Sequence, residues 1–76
     1  MMRLGEFEVR PRLNEVRNKL GLTQERVAEL TGIPQASISR FDKSRMHVDA
    51  HIFAILMNLN LKYEDLFEIV PIKKDE

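Results

Sequence analysis

Residues 34–41, PQASISRF, carry side chains that could recognise another molecule through hydrogen bonds. On a helix, four small or adaptable residues share the outer side: Gln35, Ala36, Ser39 and Arg40. Ile38 and Phe41, three residues apart, point inward, and Ser37 lies at the boundary. An amide and a guanidinium can each form paired hydrogen bonds, and a methyl group adds an apolar contact. The pattern predicts a slender helix whose outer side can approach a partner closely.

Residues that could bind a metal or catalyse a reaction are few. His47 and His51 are four residues apart, a spacing that can ligate a metal on a helix, but no third ligand is evident. The sequence contains no phosphate-binding glycine loop, nucleophile elbow or zinc signature. We therefore interpret both histidines as surface residues and expect no cofactor, no metal and no enzymatic activity.

The first elements of the chain are predicted from apolar spacing. The alternation in EFEVR predicts a short strand, with Phe7 and Val9 on one side. A helix is predicted over residues 11–20, with Pro11 in its opening turn and Gly21 after its end. Its inward positions recur at helical spacing: Leu13, Val16 and Leu20.

Two further helices are predicted on either side of a glycine. Thr23 offers a hydroxyl N-cap to a second helix, and Gly32 suits the left-handed position at its C-terminus. The inner side of this helix is Val27, Ala28 and Leu30. Pro34 fits the first turn of a third helix. Residues 23–41 thus form two helices joined by a short glycine-containing turn, the arrangement of a helix-turn-helix.

The remaining residues predict two more helices. Asp49 is expected to cap a fourth helix that runs to about Asn58, and LKYEDLFEI predicts a short fifth helix through Leu66 and Phe67. The core stripe of the fourth helix is Ile52, Ile55, Leu56 and Leu59. A second stripe, Phe53 and Met57, is interpreted as core beneath the fifth helix. The alternative is a dimer patch at that stripe, or one formed by Phe67, Val70 and Ile72.

The predicted fold is all-α, a compact bundle of about five short helices with a possible small strand ribbon between residues 6–9 and 68–72. With 76 residues, we expect one domain, 1–76, with a modest core and a flexible tail over about 71–76. Cysteine is absent, and neither a membrane span nor a signal peptide is evident. These features predict a cytoplasmic protein that does not enter a membrane.

The sequence resembles the Cro/repressor-type helix-turn-helix family, also called XRE-like or lambda-repressor-like. The resemblance spans about residues 13–69 and rests on LTQERVAELTGI, ASISRF and LNLKYEDLFEI together. It implies binding of double-stranded DNA by the third helix, the recognition helix. It also implies a homodimer on a pseudo-palindromic operator, with half-sites about 34–36 Å apart.

The resemblance assigns contacts position by position. Gln24 would contact a phosphate and brace the recognition helix, whose opening residues and next turn would read bases. Residues 43–45 would grip the DNA backbone. The implied DNA-binding set is Thr23, Gln24, Gln35, Ala36, Ser37, Ser39, Arg40, Lys43, Ser44 and Arg45.

The same resemblance implies a structural ion pair between Arg17 of the first helix and Asp42, just past the recognition helix. The chain departs from the family where Asp42, Lys43 and Ser44 replace the frequent Glu-Asn-Gly. Pro34 also replaces a common serine or threonine cap. Without that glycine, we expect the recognition helix to end in a longer or differently bent exit.

The small outer side of the recognition helix suits the DNA major groove, which is about 12 Å wide and just admits a helix. Gln35 can bond adenine in a bidentate way, Ala36 can touch a thymine methyl, and Arg40 can reach guanine or a phosphate. Formal net charge is zero, yet residues 10–45 hold eight bases and four acids, whereas residues 46–76 hold three bases and six acids. A local basic face matters more for DNA attraction than the total charge.

These features predict a sequence-specific DNA-binding transcriptional regulator, a bacterial, phage or plasmid repressor that occupies a promoter without catalysis. The alternative is a protein-binding module, such as an antitoxin or an antagonist, that keeps the helix-turn-helix shape. Zero net charge and the acidic C-terminal part support this alternative.

Overall fold

The computed structural model describes residues 2–72, with side-chain positions from residue 5 onward. Within this part of the chain, three strands and five α-helices follow one another: β1 Met2–Leu4, β2 Phe7–Pro11, α1 Leu13–Lys19, α2 Gln24–Thr31, α3 Gln35–Arg40, α4 Asp49–Asn58, α5 Tyr63–Leu66 and β3 Phe67–Pro71. A single 3-10 turn, Phe41–Lys43, follows α3 directly. The predicted fold class is confirmed. The last four residues of the predicted tail, 73–76, lie outside the described residues.

The strands form an antiparallel sheet in the order β1-β2-β3, which joins the two ends of the described chain. The register places Val9 opposite both Met2 and Ile69. The predicted ribbon is therefore present, and β1 adds a third strand that apolar spacing did not predict. Val9 is buried, whereas Phe7, predicted on the same side of the strand, is 46% exposed, so only one of the two reaches the core.

Helix α1 begins at Leu13, two residues later than predicted. Pro11 ends β2 opposite Phe67, and Arg12 is the N-cap residue but forms no side-chain capping bond. The backbone N–H of Arg12 donates to the Leu66 carbonyl at 2.9 Å. Pro11 suits the end of a strand because it offers no N–H to a pairing partner. The strand pairing thus includes Pro11, the first residue of the segment predicted as helical, and the backbone bond of Arg12 follows it.

The core lies between the helices and the sheet. Its fully buried members come from α1, α2, α4 and α5: Leu13, Val27, Ile55 and Leu66. They pack with buried side chains from β2, the α2–α3 turn, α3, the 3-10 turn, the end of α4 and β3: Val9, Ile33, Ile38, Phe41, Leu59 and Phe67. Because every helix contributes a residue to this one cluster, α3 is held through hydrophobic burial, the largest favourable term in folding.

The observed helices α4 and α5 differ from the prediction in three respects. The N-cap residue of α4 is Val48, and Asp49 is the first helical residue, which makes no capping bond. Phe53 is 60% and Met57 is 79% exposed, so this stripe is not core. Helix α5 is only four residues long, because the chain turns into β3 at Phe67. Phe67 is buried, which removes it from the alternative predicted dimer patch.

No helix within residues 2–72 has the length and apolar character required to cross a bilayer.

Candidate nucleic-acid interface

Helices α2 and α3 are joined by three residues whose geometry follows from local chemistry. The Thr23 hydroxyl accepts a hydrogen bond from the Arg26 backbone N–H at 3.0 Å, which confirms the predicted N-cap. Gly32 ends α2 in the left-handed conformation, with φ of 76°, and its N–H donates to the Ala28 carbonyl. A residue with a Cβ rarely adopts this conformation. Ile33 is buried immediately afterwards and fills the angle between the two helices.

The Thr31 hydroxyl strengthens this turn. It donates to the Val27 carbonyl at 2.7 Å and accepts from the Ile33 N–H at 3.2 Å. One side chain therefore links the last turn of α2 to the first buried residue after it.

Helix α3 presents the outer side predicted from its sequence. Ile38 and Phe41 are each 4% exposed and hold the helix to the core. Its exposed residues are Gln35, Ala36, Ser39 and Arg40, and Ser37 is half-buried. Pro34 is the N-cap residue and lies one position before the helix, and the Ser37 and Ile38 N–H groups donate to its carbonyl. The four small or adaptable side chains are free to face a partner.

The exit from α3 is built differently from the frequent glycine turn. Helix α3 passes directly into the 3-10 turn, and Ser44 ends it in extended backbone conformation. The Ser44 hydroxyl and backbone N–H both donate to the Arg40 carbonyl, each at 3.1 Å. A serine thus completes the turn that lacks the glycine. Lys43 and Arg45 remain exposed on either side of it.

A polar cleft of about 320 Å³ lies between α1, α2 and α3. It is lined by Leu13, Asn14, Arg17, Gln24, Ile38, Ser39, Asp42 and Lys43. Three of the predicted DNA-binding residues, Gln24, Ser39 and Lys43, therefore meet around one depression. Gln24 is half-buried there, which suits a residue that both braces α3 and reaches outward.

The predicted ion pair between Arg17 and Asp42 does not form. Each Asp42 carboxylate oxygen instead accepts a backbone N–H at the start of α1, from Leu13 at 2.8 Å and from Asn14 at 2.9 Å. Arg17 donates to the side-chain oxygens of Asn14 and Asn18 and to the Leu22 carbonyl. The prediction was wrong because free N–H groups at a helix start compete well for a carboxylate. Asp42 still joins α1 to the recognition helix, but through the backbone.

Ion pairing leaves the region around α3 positively charged. In the described part of the chain, the three ion pairs are Arg10–Glu8 at 3.0 Å, Lys19–Glu15 at 3.9 Å and Arg26–Glu29 at 3.2 Å. None of them involves Arg40, Lys43 or Arg45, and these three cations contact no carboxylate among the described side chains. Their charges remain available to an anionic partner.

His47 packs against the turn that follows α3. His47 Nε2 lies 2.7 Å from the Phe41 carbonyl oxygen, and its ring is 4.1 Å from the Phe41 ring. Its ring is also 5.6 Å from that of Phe67. His47 therefore braces the turn after α3 against β3, and it is half-buried rather than a surface residue as predicted. Within the described residues, no group of three His, Cys, Asp or Glu side chains could hold a metal ion.

Asn14 lines the cleft beside Gln24 and Lys43 but was not among the predicted site residues. It lies on α1, ten residues before Gln24, and no spacing rule in the sequence relates the two. Only the packing of α1 against the 3-10 turn after α3 could reveal its place.

Comparison with known proteins agrees with this geometry. A helix-turn-helix family model matches residues 13–45, a shorter span than predicted. The fold is similar to the crystal structure of the transcriptional regulator VanUg, with a TM-score of 0.69 over 90% of this chain and 92% of that chain, at 16% sequence identity. A comparison with curated proteins found no match. The predicted resemblance is confirmed over residues 13–45, which are similar to the helix-turn-helix family.

Proposed function

We propose that the protein is a DNA-binding transcriptional regulator that inserts α3 into the major groove of a specific site. One observation carries this proposal: Ile38 and Phe41 bury the inner side of α3 and leave Gln35, Ala36 and Arg40 exposed. A groove about 12 Å wide admits a helix only when its outer side chains are short or can extend along the groove. The family match of residues 13–45 and the fold shared with a transcriptional regulator support the same function.

Base recognition falls to the outer side of α3. The Gln35 amide can bond adenine through two hydrogen bonds, the Ala36 methyl can contact thymine, and the Arg40 guanidinium can bond guanine. Ser39, one turn after Ala36, and the boundary residue Ser37 complete the set. Each good bidentate contact discriminates against a wrong base by about 1–3 kcal/mol.

Backbone contacts fall to residues around the polar cleft. Lys43 and Arg45 offer cations without acidic partners, and Gln24 offers an amide. The Thr23 hydroxyl accepts a bond within α2 and still has its proton for a phosphate. The Ser44 proton is already donated to the Arg40 carbonyl, so we assign the phosphate contacts of this loop to Lys43 and Arg45. Such contacts fix the register of the protein on DNA without reading its sequence.

The finer proposal is a repressor that binds a pseudo-palindromic operator as a homodimer. Two recognition helices would then meet half-sites about 34–36 Å apart. The exposed stripe of Phe53 and Met57 on α4 offers an apolar surface for the second copy. Of the two dimer patches considered from the sequence, this one keeps all its members exposed.

The test is selection of bound sequences from random double-stranded DNA at a stated salt concentration, followed by mobility shifts. Arg40→Ala should weaken binding to the selected site more than binding to random DNA. Lys43→Ala should weaken both equally and reduce the salt dependence. Equal losses for the two variants would refute the division of roles, and a selection that enriches no sequence would refute specific binding.

The same exposed stripe supports a second candidate function, the protein-binding module. A protein that shows no salt-dependent DNA binding but captures a stoichiometric partner would favour an antitoxin or antagonist. Loss of that partner on Phe53→Ser would locate its docking surface on α4.

A further inference from the structure

We propose that Asp42 is a positioning residue that sets the orientation of the recognition helix by capping α1. This inference rests on the proposed function, because it concerns how α3 is aimed at DNA. Asp42 lies in the 3-10 turn directly after α3, and its two carboxylate oxygens accept the N–H groups of Leu13 and Asn14 at 2.8 and 2.9 Å.

The start of α1 has no cap of its own. Its N-cap residue, Arg12, forms no side-chain capping bond, because a guanidinium carries only donors and cannot accept an N–H. It donates instead to the carbonyls of Glu64 and Asp65 in α5. The first N–H groups of a helix otherwise lack partners. Among the described side chains, the one that caps them belongs to Asp42, 29 positions after Leu13 in the chain. A local cap would serve the stability of α1 equally well, whereas this one also ties α1 to α3.

The hydrogen bonds of Asp42 depend on angle, whereas the hydrophobic contacts that hold α3 do not. Burial of Ile38 and Phe41 is non-directional, so it sets how deeply α3 sits and only loosely sets its rotation. Two charge-assisted hydrogen bonds from one carboxylate prefer a narrow range of angles. Ser39 and Asp42 line the same cleft beside α1, so a rotation here would move a base-reading residue.

Removal of the Asp42 carboxylate should affect binding to random DNA and binding to the selected site differently. Asp42 is an acid beside Lys43, near the surface proposed for DNA phosphates. Its removal should strengthen or leave unchanged the binding to random DNA, because phosphate attraction increases. Its removal should weaken binding to the selected site, because the base contacts lose their alignment. A residue that served only stability would lower the two affinities together.

The experiment measures both affinities at one salt concentration for the wild type, Asp42→Asn and Asp42→Ala. Asp49→Asn is the matched control, since Asp49 is an exposed acid that makes no capping bond at the start of α4. We expect the ratio of specific to random affinity to fall about tenfold in Asp42→Ala, comparable to the loss of one base contact. The ratio should fall less in Asp42→Asn, which keeps one acceptor oxygen, and it should stay at the wild-type value in Asp49→Asn.

Thermal unfolding of each variant, followed by binding well below its transition, keeps the folded fraction constant. A ratio in Asp42→Ala equal to that of the wild type would overturn the inference and leave the proposed function intact. Equal losses of both affinities would overturn it as well. A wild-type protein that selects no DNA sequence would instead overturn the proposed function, and this inference with it.

Discussion

Helices α3 and α4 are each anchored on one side and open on the other, yet they expose opposite kinds of side chain. The outer side of α3 is small and polar apart from one methyl group, whereas α4 exposes Phe53 and Met57 at 60% and 79%. Polar groups are well solvated in the absence of a partner, whereas neighbouring large apolar groups are not. The difference teaches that one short domain can offer two surfaces, one suited to the edges of bases and one suited to another apolar surface.

Two phenylalanines sharpen this contrast. Phe41, at the end of α3, is 4% exposed, and Phe53, in the middle of α4, is 60% exposed. Both residues are phenylalanine, so any difference between the effects of their substitution on stability must come from their positions in the fold.

Phe41→Ala should have the largest effect on stability. The change removes a buried ring that contacts Phe67 and His47, and such truncations cost about 3–5 kcal/mol of unfolding free energy. Phe53→Ala is the matched control and should cost less than about 0.5 kcal/mol, as surface substitutions do. Urea unfolding of both variants measures the difference. Similar losses of unfolding free energy in the two variants would contradict the distinction between the buried side of α3 and the exposed side of α4.

Two substitutions at helix starts should have intermediate effects of opposite sign. Thr23→Ala removes the cap of α2 and should lower the unfolding free energy by about 1 kcal/mol. Val48→Ser places a capping hydroxyl at the start of α4, where Val48 is extended and forms no side-chain capping bond, and should raise it by about 0.5–1 kcal/mol. Thermal unfolding checks both. A Val48→Ser variant less stable than the wild type would show that the exposed valine contributes packing at this position.

Phe53→Ser should have the smallest effect on the isolated chain, within about 0.5 kcal/mol. It should nevertheless reduce self-association, since it removes one of the two apolar side chains proposed to meet in the dimer. Sedimentation velocity over a range of concentrations measures this, with Glu29→Ser on α2 as an exposed control. Unchanged association in Phe53→Ser would exclude this part of α4 from the contact between copies.

Much of the fold could be predicted because local patterns encode it. The end of α4, the N-cap Thr23 and the left-handed Gly32 all follow from side-chain and backbone chemistry within a few residues. The inner and outer sides of α3 follow from the period of 3.6 residues per turn. The predicted contacts of these residues with DNA remain predictions.

Most of the errors share a cause, since they concern how distant segments meet. Pro11 was assigned to a helix, but strand β3 returns and pairs with it. The prediction places Phe53 and Met57 in the core because apolar residues at helical spacing usually face one, but no other described segment covers them. Asp42 was paired with Arg17, but its oxygens bond backbone groups of α1.

The sequence by itself determined where most helices lie and which side of α3 faces outward, because hydrophobic periodicity and capping act over single turns of the chain. Only the tertiary structure decided which groups Asp42 binds, which apolar stripe stays open and which residues share the polar cleft. Those outcomes depend on segments far apart in sequence that come into contact when the common core forms. Hydrogen-bond partners there are chosen by proximity in space, which spacing along the chain does not encode.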